Sequence, residues 1–192
     1  MTGLRKLVAL SCALFLLAPQ TALAHQPAPV FLSGQTTTRL LPIQGGLHTV
    51  HVSGFANVRI TQGPNVSLRV TTDPQYLPRV RAEVRHGVLE LGNVYAEDGL
   101  RPPLTFELEV PDLRNIRASG GAGVELGAWV AQRLKIEVNG AGRVEAFALS
   151  AEAIRVAGSG GGHVAVEGPY RVERESVRLS GNARFERPRL PH

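Results

Sequence analysis

The chain has 192 residues, with 21 Lys and Arg against 16 Asp and Glu, and a formal net charge of +5. The length suits one domain with a sizeable core. The charge excess is mild, and no clustered basic face with stacking aromatics is evident, so nucleic acid is not an expected partner.

The first 24 residues have the features of a secretory signal peptide. Arg5-Lys6 precedes an apolar run over residues 7–17, and Ala22-Leu23-Ala24 is a small-x-small cleavage site. Cleavage before His25 removes those two cations, which takes the charge from +5 to +3, and removes the single cysteine, Cys12. We therefore predict an exported protein without disulfides or a membrane span, in the periplasm, outside the cell or on its surface.

The mature chain is predicted to be all-β. Residues 25–44 show no clear periodicity and are predicted to be a linker or lead-in. From Thr49 onward, apolar and polar residues alternate as in β-strands, and His86-Gly87 is typical of a tight turn. No segment has the period of an amphipathic helix. We expect one domain over residues 45–192, beginning with an irregular or antiparallel β portion.

Four glycine-centred segments recur in the second half of the chain. Their central glycines are Gly120, Gly140, Gly160 and Gly181, and Ile or Val lies four residues before each of them. An outlying copy surrounds Gly54. A fixed period near 20 residues is typical of a solenoid, in which each repeat buries its apolar face by stacking on its neighbours. We therefore predict a parallel β-helix with coils of about 20 residues.

The phase of the repeat predicts which side chains point inward. Because strand side chains alternate between faces, the positions four and two before each glycine, and four and six after it, share the inner face. The glycines are expected at corners that need a positive φ. The ninth position after each glycine is expected to form a further apolar column, which contains Trp129, Leu149, Pro169 and Leu190.

The order of several short motifs resembles a known family. The motifs are residues 52–63, Leu89-Glu90-Leu91, residues 110–113 and the repeated Ser/Asn-Gly segments. Together, from Leu47 to Phe185, they resemble the exported family described as "Putative auto-transporter adhesin, head GIN domain". The resemblance implies a right-handed β-solenoid and an envelope location. It implies no catalytic or ligand-binding residue at any position of this chain.

Arginines at matching positions suggest a binding surface. The third position after successive glycines holds Arg143, His163 and Arg184, which we call the basic strip, and Arg178 adds a further cation. Arginine forks suit carboxylate, sulfate and phosphate groups. We therefore predict that these four residues bind an anionic envelope polysaccharide or another envelope protein. The alternative is an ordinary solvated face.

Two glutamates leave an enzymatic alternative open. Glu125 and Glu145 occupy equivalent outward positions, where their carboxylates would lie about 5 Å apart, as in retaining glycosidases. Arg143 lies close by, so a ladder of ion pairs is the favoured interpretation. A third alternative is a structural protein that self-assembles through the ends of the solenoid.

No cofactor or metal is predicted. The glycine-rich runs at residues 120–123 and 158–162 neither open a helix nor carry the lysine of a phosphate-binding loop. The aspartates are scattered along the chain. The favoured interpretation is a non-enzymatic exported protein that binds or adheres to envelope or extracellular polymers.

Overall fold

The computed structural model describes residues 33–43, 46–93 and 102–188, and the predicted signal peptide lies outside these ranges. Within them the chain forms strands and one short 3₁₀ turn, Leu77–Arg79, without an α-helix, so the all-β prediction is confirmed. The strands are β1 (Thr37–Leu41), β2 (Thr49–Val52), β3 (Asn57–Gln62), β4 (Ser67–Thr72), β5 (Val80–Arg85), β6 (Val88–Asn93), β7 (Thr105–Val110), β8 (Asn115–Gly120), β9 (Gly123–Gly140), β10 (Arg143–Gly160), β11 (His163–Val166), β12 (Tyr170–Leu179) and β13 (Arg184–Glu186).

The strands join one sheet of mixed orientation. In its N-terminal part β1 pairs antiparallel with β4, β4 with β7, and β5 with β6. The turn between β5 and β6 has positive φ angles at His86 and Gly87, as tight hairpins require. Part of the predicted linker is thus a strand, β1. Its side chains are mostly exposed, so it lacks the buried alternation that signals a strand, and backbone pairing with β4 holds it instead.

The repeats stack in parallel, with equivalent residues in register. Val144 pairs with Val124, and Val156 with Ile136, which is an offset of 20 residues along the chain. Strands β2 and β3 pair in the same way with β8 and β9. Their opposite edges pair in parallel with β6 and β7. The right-handed winding of these strands into a solenoid stays a prediction.

The central glycines of successive repeats stack on one another in a column. Gly120, Gly140 and Gly160 have φ angles of 71°, 72° and 72°, and Gly54 and Gly181 have 79° and 67°, so the predicted positive φ is confirmed. The residue after one glycine donates its N–H to the carbonyl of the glycine in the neighbouring repeat, at 2.7–2.8 Å. A Cβ on Gly140 would lie 3.2 Å from the Gly120 carbonyl oxygen. Conformation and spacing therefore both require glycine there.

The predicted inner face is the core, with one correction in the ninth-position column. In the repeats centred on Gly120 and Gly140 every predicted inward residue is buried: Ile116, Ala118, Val124, Leu126, Ile136, Val138, Val144 and Ala146. Trp129 and Leu149 are buried as predicted, but Pro169 is exposed. Tyr170, not Pro169, pairs with Leu149 and occupies the buried position of this column. The reason is that the connection between β11 and β12 is one residue longer than the equivalent segment of β10. Leu190 lies outside the described residues.

Candidate functional site

The basic strip is assembled, but carboxylates interrupt it. Strand pairing places His163 between Arg143 and Arg184, and Arg143 Nη2 lies 3.4 Å from His163 Nδ1. Arg143 Nε also contacts Glu145 Oε1 at 2.8 Å. His163 Nε2 lies 3.5 Å from Glu186 Oε1, which is too long for a good hydrogen bond. Glu145 and Glu186 therefore offset part of the positive charge of the strip.

Arg178 lies away from the basic strip. It is on β12 and pairs with Ala157, which in turn pairs with Glu137. These three residues precede their central glycines, whereas the strip follows them. Arg178 is exposed, and it lines neither of the two grooves described below.

The two glutamates of the enzymatic alternative are neighbours in the ladder, and each has a cationic partner. Glu145 pairs in register with Glu125. Glu125 Oε2 contacts Arg59 Nη2 at 2.9 Å, and Glu145 contacts Arg143. Each carboxylate is therefore already engaged in an ion pair with an arginine. The geometry thus favours a ladder of ion pairs.

A second surface gathers five cations that the sequence analysis did not group. It is a shallow groove of about 430 Å³ across the strand segments that precede the central glycines. We call it the cationic groove, and its cations are Arg114, Arg133, Lys135, Arg155 and Arg174. Its lining also includes Leu134 and Ile154, both buried, and the half-buried Ala153.

The cations of the groove are poorly compensated. Lys135 Nζ contacts Glu137 Oε1 at 2.6 Å. Among the residues that the structure describes, the four arginines of the groove have no carboxylate within ion-pair distance. The single carboxylate in the lining belongs to Glu175. Its Oε2 accepts a hydrogen bond from the Tyr170 hydroxyl and lies 3.3 Å from Arg187 Nε. The lining of the cationic groove thus holds five cations and one carboxylate.

Two residues that contact the lining of the groove, Glu137 and Tyr170, have shifted pKa values. Burial alone would raise the pKa of Glu137, but hydrogen bonds from Lys135 and Arg117 outweigh it and hold that pKa below its usual value. Burial raises the pKa of Tyr170, and its hydrogen bond to Glu175 raises it further. Glu137 thus stays ionised and keeps Lys135 occupied, and Tyr170 stays protonated and donates to Glu175.

A larger groove adjoins the first but is balanced in charge. It has a volume of about 1050 Å³ and shares Arg114 and Arg133 with the cationic groove. Its lining adds Arg171 and three acidic residues, Asp112, Glu152 and Glu173. Three cations against three carboxylates give no net preference for an anion. Size alone therefore does not identify the better anion site.

The sequence analysis missed the cationic groove because its residues fall in different columns of the repeat. Arg133 and Arg174 lie seven residues before their glycines, Lys135 and Arg155 five, and Arg114 six. No single column of the repeat therefore contains more than two of these cations. Combining the columns five to seven before the glycine would have revealed the surplus.

The described residues contain neither a metal-binding cluster nor a membrane-spanning helix. In residues 33–43, 46–93 and 102–188 no group of three or more His, Cys, Asp or Glu side chains is placed to hold a metal ion. Over the same ranges, no helix has the length and apolar character needed to cross a membrane.

Solved structures share this fold at low sequence identity. A putative adhesin from Parabacteroides distasonis is 16% identical with a TM-score of 0.57, and the alignment covers 82% of this chain and 84% of that one. A putative adhesin from Bacteroides fragilis is 14% identical with a TM-score of 0.52, covering 82% and 99%. One from Parabacteroides merdae is 14% identical with a TM-score of 0.50, covering 82% and 98%.

The family model gives a firmer assignment than these structures. No curated protein matches the chain. The model of the family described as "Putative auto-transporter adhesin, head GIN domain" matches residues 46–191, which is most of the chain. That match confirms the resemblance found in the motifs. The chain therefore belongs to the auto-transporter adhesin head family with the GIN domain.

Proposed function

We propose that this protein is exported and acts as an adhesin-type binding protein for anionic polymers of the cell envelope. One observation carries the proposal: arginines without a carboxylate partner recur on the outer face of successive repeats, as Arg133, Arg155 and Arg174 do. Family membership supports the adhesive character. The cleavable signal predicted over residues 1–24 supports export.

The stacked strands supply the rigidity that such binding needs. Each exposed ion pair is worth only about 0.2–1 kcal/mol, so a single arginine cannot hold a polymer. Several arginines on a preorganised surface add their contacts at little further ordering cost. We propose that the parallel segments wind as a right-handed solenoid and that its outer ladders present these side chains, including those of Arg143, His163 and Arg184.

The test is a pull-down of the purified exported protein with isolated envelope fractions over a salt series. We expect saturable binding at low salt that weakens as salt rises, because exposed charges are screened within about 10 Å at 0.1 M. Absence of binding at low salt would contradict the proposal.

The same preparation separates the two alternatives. Turnover of an envelope glycan that Glu145→Gln abolishes would establish the enzymatic alternative. Oligomers that grow with concentration in light scattering, without envelope binding, would establish the structural one. The ion pairs of Glu125 and Glu145 with Arg59 and Arg143 make the first result unexpected.

A further inference from the structure

We infer that the cationic groove is the binding site of a linear polysaccharide. This polysaccharide carries carboxylate or sulfate groups and lies across the strands. The inference rests on the proposed function, since it presupposes that the protein binds an anionic polymer. It differs from that proposal by assigning the binding to one face. That face lies before the central glycines, not at the basic strip.

Cations occur in the groove on every one of four successive repeats. Arg114 belongs to the repeat of Gly120, Arg133 and Lys135 to that of Gly140, Arg155 to that of Gly160, and Arg174 to that of Gly181. Parallel strands lie about 4.8 Å apart, so three steps span about 14 Å. A chain that crosses the strands would meet a cation on each repeat. A single small anion would reach few of them.

A small residue makes room for that chain. Ala153 pairs with Arg133 on one side, in β9, and with Arg174 on the other, in β12. The two arginines therefore flank Ala153 at about 10 Å from each other, two strand spacings. Ala153 has no long side chain, so the space above it stays open between two guanidinium groups. Such a trough suits an anionic sugar ring with arginine forks on both sides.

The lining favours a polysaccharide over single-stranded nucleic acid. Proteins that bind single strands combine a basic groove with aromatic rings on which bases stack. None of the described residues that line the cationic groove is aromatic. The buried Leu134 and Ile154 contribute an aliphatic floor instead.

The basic strip is the weaker candidate for this polymer. Its Arg143 is already engaged by Glu145, and Glu186 lies beside His163. A polymer bound there would have to displace one carboxylate and approach another. In the groove, Arg133, Arg155 and Arg174 face no such competitor among the described residues.

The test compares two matched double charge reversals. The purified exported protein is titrated onto immobilised polygalacturonate and dextran sulfate, with neutral dextran as the blank, at 20 mM and 200 mM salt. The groove variant is Arg133→Glu with Arg174→Glu, and the strip variant is Arg143→Glu with Arg184→Glu. All four arginines are exposed, so both variants are expected to fold, which thermal melting checks.

We expect the groove variant to lose affinity by about 10-fold or more at low salt, and the strip variant by less than about 3-fold. Loss in the strip variant alone, or equal retention in both, would overturn the inference and leave the proposed function standing. Absence of wild-type binding to either polymer, with envelope fractions still bound, would also overturn the inference. If the wild-type protein bound neither the polymers nor the envelope fractions, the proposed function would be overturned as well.

A substitution that changes no charge gives an independent readout. Ala153→Phe would fill the trough between Arg133 and Arg174 and should weaken polymer binding several-fold. Ala165→Phe is the matched control, at a half-buried position on the face of the basic strip. This variant should bind the polymer as tightly as the wild type. Equal affinities of the two variants would overturn the placement of the polymer over Ala153.

Discussion

Gln62 and Val130 are joined by two hydrogen bonds. Val130 N–H donates to Gln62 Oε1 at 2.9 Å, and Gln62 Nε2 donates to the Val130 carbonyl at 3.0 Å. Gln62 Nε2 also donates to the Pro111 carbonyl at 3.0 Å. The parallel pairing of β3 with β9 ends at Ile60 and Leu126. The side-chain amide of Gln62 thus continues the ladder beyond the last paired residues.

We expect Gln62→Ala to lower the free energy of unfolding by about 0.5–1.5 kcal/mol, because exposed hydrogen bonds of this kind contribute modestly. Urea denaturation measures the change. Gln132→Ala, at an exposed position near Val130, is the control and should be close to neutral. Equal midpoints for the two variants would contradict a structural role of Gln62.

The column of glycines gives a second prediction. Gly140→Ala places a side chain at φ 72° and at 3.2 Å from the Gly120 carbonyl oxygen, so we expect a loss of about 1–3 kcal/mol. Gly161→Ala is the matched control, because its Cβ would meet only the Gly140 carbonyl oxygen at 3.7 Å. If thermal melting found the two alanine variants equally stable, the close stacking at Gly140 would be wrong.

Asp73 links the start of the described chain to the end of β4. Its Oδ2 accepts hydrogen bonds from Ser33 N–H at 2.6 Å, Ser33 Oγ at 2.9 Å and Gly34 N–H at 3.1 Å, and its Oδ1 accepts one from Gln75 N–H at 2.9 Å. Burial alone would raise the pKa of Asp73, but these hydrogen bonds outweigh it and lower the pKa below the usual value.

A group with a lowered pKa stabilises the fold above its unfolded pKa and loses that effect as the pH falls through the folded pKa. Asp73→Asn should therefore be less stable than the wild type at pH 7. The difference should shrink toward pH 3 and below. Urea midpoints over pH 2–7 measure it, with the exposed Asp112→Asn as the control. A difference that grows toward acid would contradict the assignment.

Glu137 restrains one cation of the groove. It lies 2.7 Å from Arg117 Nε and 2.6 Å from Lys135 Nζ. Glu137→Gln should free Lys135 and raise affinity for dextran sulfate by about 1.5- to 5-fold, the worth of an exposed ion pair. Glu145→Gln, which frees Arg143 on the other face, should have a smaller effect. A larger gain from Glu145→Gln would favour the basic strip.

Much of the repeat could be predicted from the sequence because its signals are local. The positive φ at Gly120 and Gly140 and the burial of Ile136 and Val144 follow from period and alternation alone. The order of strands does not: β6 and β7 pair outside β2 and β3, although they follow them in the chain. That arrangement depends on long-range pairing, which periodicity does not record.

The candidate site was less predictable, for a similar reason. The period of the repeat predicts that Arg143, His163 and Arg184 lie side by side, and strand pairing places them so. They did not show that Glu145 and Glu186 would accompany them, or that Arg133 and Arg174 would face each other across Ala153. Charge balance depends on residues in neighbouring columns, and the extra residue before Tyr170 shifts the register of the last repeat.

The most direct test of anionic polysaccharide binding is a backbone NMR titration of the isotope-labelled protein with short galacturonate oligomers. We predict that the amide shift changes concentrate at residues 133–135, 153–155 and 174–176, and that they shrink as the salt concentration rises. Changes concentrated at residues 143–145, 163–165 and 184–186 would contradict the assignment to the cationic groove. Absence of any change at low salt would contradict anionic polysaccharide binding altogether.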